Sequence, residues 1–261
     1  MIRPPVEALG DPARVVETVL GCRPEDVAPR VVVTPFVPLS SFRRHAPEPL
    51  ADLNPRFFFQ GFTAAFEGVP VTVVHTGVGP TRVGDCLGAL ALTPARRVLF
   101  VGAVGGLGDD LALGDWFLPT AVADGEGYTR YVREGFGAVV AGAEPVPVPE
   151  PPGLGPFLED RGGRVARGPV FTVGPITFES EENLRLLAAR GYRAIEMELS
   201  AFYAAAAALG LEPACLTYVS DLPLRSSLWA EKTPAETEAL RAAWRAAPRF
   251  ALEWLCGQGE G

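Results

Sequence analysis

The sequence predicts an α/β fold. Apolar runs of strand length alternate with segments of helical period along most of the 261 residues, the pattern of a sheet flanked by helices. Glycine-rich stretches follow two of the apolar runs, HTGVGP at 75–80 and VGAVGG at 101–106, where a strand turns tightly into the next element. Helix-start chemistry precedes two periodic segments, as Asp11-Pro12 and Thr233-Pro234.

In chain order, a helix is expected over Asp11–Val19, with Asp11 as N-cap and Pro12 at the first helical position. The valine run Arg30–Thr34 is the first expected strand. Strands Phe58–Phe66 and Val69–Thr76 follow, then a helix over Thr81–Leu92 and a strand over Arg97–Gly102. A turn at Gly114–Asp115 launches the strand Asp115–Ala123. The stretch EPVPVPEPPGLGP, Glu144–Pro156, is too rich in proline for regular structure. It reads as an interdomain linker or as a surface excursion within one domain; the excursion is favoured because the motifs on its two sides belong to one functional set. Strand Arg164–Val173, helix Glu181–Ala189, strand Arg193–Glu198, helix Leu199–Leu209 and strand Ala214–Ser220 complete the alternation. The last helix, Pro234–Cys256, takes Thr233 as N-cap, and Pro248 inside it is expected to kink or break it. The expectation is a single α/β domain over residues 1–261 around a central twisted mixed sheet.

Composition narrows the function classes. At 48% hydrophobic and 21% charged the chain is globular, and its net charge of −8 argues against a nucleic-acid-binding surface. Cys22, Cys86, Cys215 and Cys256 are scattered without a CxxC pair, so they read as small apolar residues of a reducing compartment; no metal site and no disulfide frame is expected. The N-terminal stretch lacks the apolar core of a signal peptide. The longest apolar run is interrupted by Gly210, Glu212 and Pro213, short of a membrane span. A cytoplasmic protein with no membrane partner is expected.

The chemistry-bearing residues cluster at strand ends. The loop after VTVVH has Gly77 and Gly79, but Arg82 occupies the position of the third glycine of a dinucleotide fingerprint, and that reading fails. In LGDPARV, Arg14 stands in the first helical turn beside amides that face an anion; phosphate binding and a plain capped helix with an exposed arginine are the two readings. AIEMELSAFYAAAAALG places Glu196 and Glu198 around Met197 in a stretch otherwise suited to burial. A carboxylate left there without partners costs several kcal/mol, so the pair needs partners or a task.

In order along the chain, GDPAR at 10–14, HTGVGP at 75–80, VGAVGGL at 101–107 with LGDWFLP after it, TFESEEN at 177–183, AIEMELSAFY at 194–203 and YVSDLP at 218–223 resemble the nucleoside phosphorylase and nucleosidase superfamily. The branch is that of hexameric purine nucleoside phosphorylase, uridine phosphorylase and methylthioadenosine nucleosidase. The resemblance implies a nucleoside phosphorylase-like fold and cleavage of an N-glycosidic bond by phosphate, a co-substrate, with no cofactor. It implies that Glu198 accepts hydrogen bonds from the ribose 2′- and 3′-hydroxyls, that Met197 packs against the sugar, and that Phe178 stacks on the base; core packing is the other reading of Phe178. It implies that Asp221 protonates a purine at N7, a general-acid task. Gly10 and Arg14 match the phosphate loop, and Arg56, in Asn54-Pro55-Arg56, matches an arginine that reaches a neighbouring subunit's site. Hence a homo-oligomer is implied, a dimer or a trimer of dimers, with active sites at subunit interfaces and a place in purine salvage.

The match departs from the phosphorylases at two positions. Phe100 stands where they carry arginine before the second glycine loop, and Ala103 stands where they carry Ser or Thr after Gly102. These departures keep open a nucleosidase using water, and a non-catalytic nucleoside-binding relative is the third reading. Glu196, His75, Gly79, Gly102 and Arg225 are further candidates, Arg225 or Lys232 as an aid to Asp221. His45, in SFRRHAP, approaches a neighbouring site or lies in a solvated loop.

Overall fold

The computed structural model describes residues 2–54 and 58–257. The elements in order are α1 (Pro12–Leu20), β1 (Arg30–Thr34), α2 (Leu39–Arg43), β2 (Glu48–Leu53), β3 (Gln60–Phe66), β4 (Val69–His75), α3 (Pro80–Leu90) and β5 (Arg97–Gly106). Next come β6 (Trp116–Gly125), α4 (Tyr128–Glu134), α5 (Phe136–Gly142), β7 (Val146–Pro147), α6 (Leu154–Glu159) and β8 (Val165–Val173). The chain continues with α7 (Glu181–Ala189), β9 (Ala194–Glu196), α8 (Leu199–Leu209), β10 (Glu212–Asp221) and α9 (Pro234–Gly257). The fold is α/β with a mixed sheet. The chain divides into two compact units: residues 1–102, 201–216 and 245–261 form the first, and 103–200 with 217–244 the second.

In the first unit β2, β3 and β4 form an antiparallel meander, and β4, β1 and β5 run parallel. Phe66 and Val69 close the β3–β4 hairpin across Glu67 and Gly68, both at positive φ (50° and 81°). That is the backbone of a two-residue primed turn, whose twist matches the flanking strands. Val31, Val32, Val33, Val71, Val73, Val74 and Leu99 are buried, as expected where strands of a parallel sheet are covered on both faces. Asp11 caps α1, its Oδ1 accepting the Ala13 N–H at 3.0 Å, and Gly21 ends that helix in the left-handed region.

In the second unit the order is β5, β9, β8, β6, β10, with β7 paired to β6 at Ala121 and Val122, beyond the residues that pair with β10. β9 joins β8 in parallel register (Thr172↔Glu196), and the last residues of β5 antiparallel (Gly105↔Ile195). Phe171, Tyr131, Phe136, Val139, Leu187 and Ile195 belong to its buried core.

The structure corrects several expectations. The strand AIEMEL ends at Glu196, not Glu198, because the Glu196 carboxylate turns to bind the amides that start α8. α9 runs through Pro248 unbroken. Buried Ala247, Ala251, Leu252 and Leu255 stabilise that half of the helix by more than the one backbone hydrogen bond proline forfeits. The proline-rich stretch is regular at both ends: Val146–Pro147 pairs with Ala121–Val122, and α6 starts at Leu154. Strand β2 and helices α2, α4, α5 and α6 were not foreseen; apart from the six-residue β2 they are five to seven residues long, and β2 is mostly exposed. Among the described residues no helix is long and apolar enough to cross a membrane.

Candidate active site

The second unit gathers the acids singled out by the sequence. Asp221 is the last residue of β10 and only 8% exposed. The Ser220 hydroxyl donates to its Oδ1 at 2.8 Å. Burial raises its pKa above the ordinary carboxylate range, against that hydrogen bond and the charge of Lys232. Asp221 also faces the second glycine loop: a Cβ on Gly105 would stand 3.4 Å from Asp221 Oδ2 and 2.9 Å from the Pro223 ring. Glycine there leaves open the space in front of the carboxyl.

A carboxylate missed in the sequence stands in the same field. Glu179, directly after Phe178, is pushed up to about 7 by burial and then by the charge of Asp221. The charge of Asp221 adds to the effect of burial on Glu179, so the two carboxyls share one electrostatic field. No spacing rule singles out Glu179, because TFESEEN carries three glutamates and only the tertiary structure half-buries this one while leaving Glu181 and Glu182 exposed.

Glu198 is 5% exposed and lies one residue before α8. Glu196, at 6%, is bound on both carboxylate oxygens: the Thr172 hydroxyl donates to Oε1, and the N–H groups of Glu198 and Leu199 donate to Oε2 at 2.5 and 2.6 Å. These hydrogen bonds, not strand alternation, separate the two acids, because β9 ends at Glu196. Half-buried Met197 and Phe178 pack against the core cluster. The Phe178 ring is 5.3 Å from that of Tyr131 and meets exposed Tyr128 edge-on at 6.3 Å. Such an arrangement holds one aromatic plane at a fixed tilt.

Arg225 uses its guanidinium on two carbonyls, Gly108 at 3.0 Å and Leu111 at 2.9 Å, and so braces the segment after β5. Lys232 donates to the Ser227 carbonyl at 3.2 Å and is the cation whose charge acts on Asp221. Ala103 is half-buried.

The first unit carries the anion-type residues. Gly10 (φ 132°), Asp11, Arg14 and Thr18 line an open cavity of about 620 Å³ at the start of α1. Arg14 is exposed there. The helix has its Ala13 amide taken by Asp11. Arg56 lies outside the described residues. In the first glycine loop, Arg82 folds back to donate to the Thr76 carbonyl and, at 2.8 Å, to that of Phe58. A Cβ on Gly77 would meet this guanidinium at 2.9 Å. His75 ends β4, and burial together with the charge of Arg82 lowers its pKa; Gly79 (φ 121°) leads into α3.

Phe100 is apolar core. It is 1% exposed, and its ring lies 5.5 Å from that of Phe202. The ring also covers Gly102, whose added Cβ would come within 2.5 Å of it. Arg97, the neighbouring cation, is held by Glu212 at 3.1 Å. His45 is lowered in pKa by burial and by Arg249 and Arg44, residues of the same unit. No cluster of three or more His, Cys, Asp or Glu side chains suited to a metal ion occurs among the described residues.

A model of the phosphorylase superfamily matches residues 39–252; GDPAR at 10–14 precedes that span. Uridine phosphorylase from Vibrio fischeri ES114, complexed with 6-hydroxy-1-naphthoic acid, is similar to the chain with a TM-score of 0.70 at 20% identity, over 89% of this chain and 93% of that one. A further structure of uridine phosphorylase from the same organism gives 0.68 at 23%, with the same coverage. AMP nucleosidase from Bacteroides thetaiotaomicron VPI-5482 gives 0.65 at 20%, over 97% of both chains. At these identities the likeness is one of fold.

Proposed function

The chain belongs to the phosphorylase superfamily, and from that premise we propose that it cleaves the N-glycosidic bond of a purine-type ribonucleoside or deoxyribonucleoside with phosphate. The products are the free base and a sugar 1-phosphate. The observation that carries the reading is Asp221, a buried carboxyl with a raised pKa, held by Ser220 in front of Gly105. A phosphate oxygen attacks C1′ as the bond from C1′ to the base breaks. The bonding pair moves into the base, and the Asp221 proton goes to N7, so that the base leaves neutral. A pyrimidine offers no such nitrogen, which is why this acid favours a purine. Glu198 holds the ribose hydroxyls, Met197 the sugar face and Phe178 the base. Gly10, Arg14 and Arg56 hold phosphate.

Phe100 supports a second reading, hydrolysis of the same bond by water. An arginine at that position would give phosphate a bidentate partner, and this chain has a buried ring there. Base release from a purine nucleoside, measured with and without inorganic phosphate, separates the two. Phosphorolysis requires that sugar 1-phosphate accumulate, and that Arg14→Ala raise KM for phosphate roughly 10- to 100-fold, the worth of a charge-assisted hydrogen bond. Release at the same rate without phosphate would overturn it in favour of hydrolysis.

The proposal extends to a cytoplasmic homo-oligomer, a dimer or a trimer of dimers, with Arg56 serving a neighbouring subunit. Light scattering is expected to find no monomer at assay concentration; a purely monomeric, active preparation would exclude that role for Arg56.

A further inference from the structure

Helix α8 begins with amides that have no partner inside the helix, and three of them are bound by side chains. Glu196 Oε2 takes the N–H groups of Glu198 and Leu199, at 2.5 and 2.6 Å, and Thr172 Oγ1 takes that of Ser200 at 3.0 Å. The two acceptors are themselves joined, because the Thr172 hydroxyl donates to the other oxygen of Glu196. The Ser200 hydroxyl then donates to Glu126 Oε1 at 2.5 Å. Thr172 and Glu196 are register partners on β8 and β9, so the chain of bonds is anchored on the sheet, crosses the first turn of α8 and ends at Glu126. Glu196 is therefore committed to protein partners on both oxygens. One of these partners, the Glu198 amide, belongs to the residue that the proposed function sets against the ribose.

We propose that Glu196, with Thr172, is a positioning residue that fixes the backbone of Glu198 against the ribose hydroxyls, Ser200 and Glu126 completing the network. This rests on the reading of Glu198 as the ribose ligand. An adjacent acid pair thus has divided roles: the first orients, the second binds. Where a shift of about 1 Å in a substrate-binding group can cost 100-fold, two short hydrogen bonds to a rigid strand keep Glu198 in place.

The test compares kcat/KM for adenosine and for 2′,3′-dideoxyadenosine, which lacks both hydroxyls and serves as the internal control for general damage. Glu198→Gln should lower the adenosine-to-dideoxyadenosine ratio. Glu196→Ala and the nearly isosteric Thr172→Val should lower it too, by roughly 10-fold or more. Glu196→Gln should keep most of it, because an amide oxygen still accepts both N–H groups. A ratio lowered by Glu198→Gln but unchanged in Glu196→Ala and Thr172→Val overturns the positioning role alone. An unchanged ratio in Glu198→Gln, or no release of adenine by the unaltered protein, overturns the assignment of Glu198 and with it the reading beneath this one.

Discussion

Asp221→Asn is expected to lower kcat by roughly 100- to 10,000-fold, the range a positioned general acid supplies, while leaving the protein more stable at neutral pH. Both effects have one cause. The fold buries this carboxyl and raises its pKa, which keeps a proton available for the departing base. The sign of the linkage follows. A folded-state pKa above the unfolded value means that the folded protein holds the proton longer, so stability falls as pH rises from the ordinary carboxylate range through the raised value. Asparagine has nothing to ionise and keeps an oxygen for the Ser220 hydroxyl, so that fall is removed. In the unaltered enzyme kcat/KM should decline as pH rises through the Asp221 pKa, because only the protonated acid donates, and in Asp221→Asn that alkaline limb should vanish. Steady-state rates over pH, with thermal melts of both proteins, check the pair. An Asn variant of undiminished activity would eliminate Asp221 as the acid; the non-catalytic reading instead requires no cleavage by either protein and nucleoside-induced thermal stabilisation that is the same in both.

Gly125→Ala is expected to produce the largest loss of stability from the smallest change. A Cβ at this position would stand 2.3 Å from the Phe171 ring and 2.6 Å from the Thr172 carbonyl. The glycine cannot move aside, because its own carbonyl accepts from the Tyr131 hydroxyl at 2.5 Å and from the Gly174 amide at 3.2 Å. Phe171 is fully buried in the same core. Overpacking of this kind costs about 3 kcal/mol, which in a chain of this size lowers Tm by roughly 6–12 °C. The displaced Thr172 also carries the hydroxyl that binds Glu196, so activity should fall with stability. Gly137→Ala is the control. It lies exposed in α5 with nothing near its added methyl, and alanine there should raise stability by about 0.5–1 kcal/mol. Equal melting temperatures for Gly125→Ala and the unaltered chain would refute the packing argument.

The motifs read well from sequence where a residue's task is local. Asp11 caps α1 as its position before Pro12 requires, and Thr233 starts α9 in a reciprocal cap with Glu236. The long alternating segments became strands and helices because their apolar period is itself the burial pattern. Short elements escaped: α4, with seven residues, is too brief for a period to show. The end of β9 was misplaced by two residues because a side chain, not the strand pattern, terminates it.

The sequence alone determined the α/β class, the family signature, and which residue types stand at the strand ends: acids at 196, 198 and 221, glycines at 102, 105 and 106, and a phenylalanine at 100 in place of a cation. These are properties of order along the chain, set by period and by local chemistry. Only the tertiary structure decided that Glu196 is committed to the amides of α8, that half-buried Glu179 lies within the field of Asp221, and that Phe100 is core against Phe202. Each of these depends on which distant segments meet. Desolvation and hydrogen bonding act through space, and the spacing of residues along a chain carries no record of them.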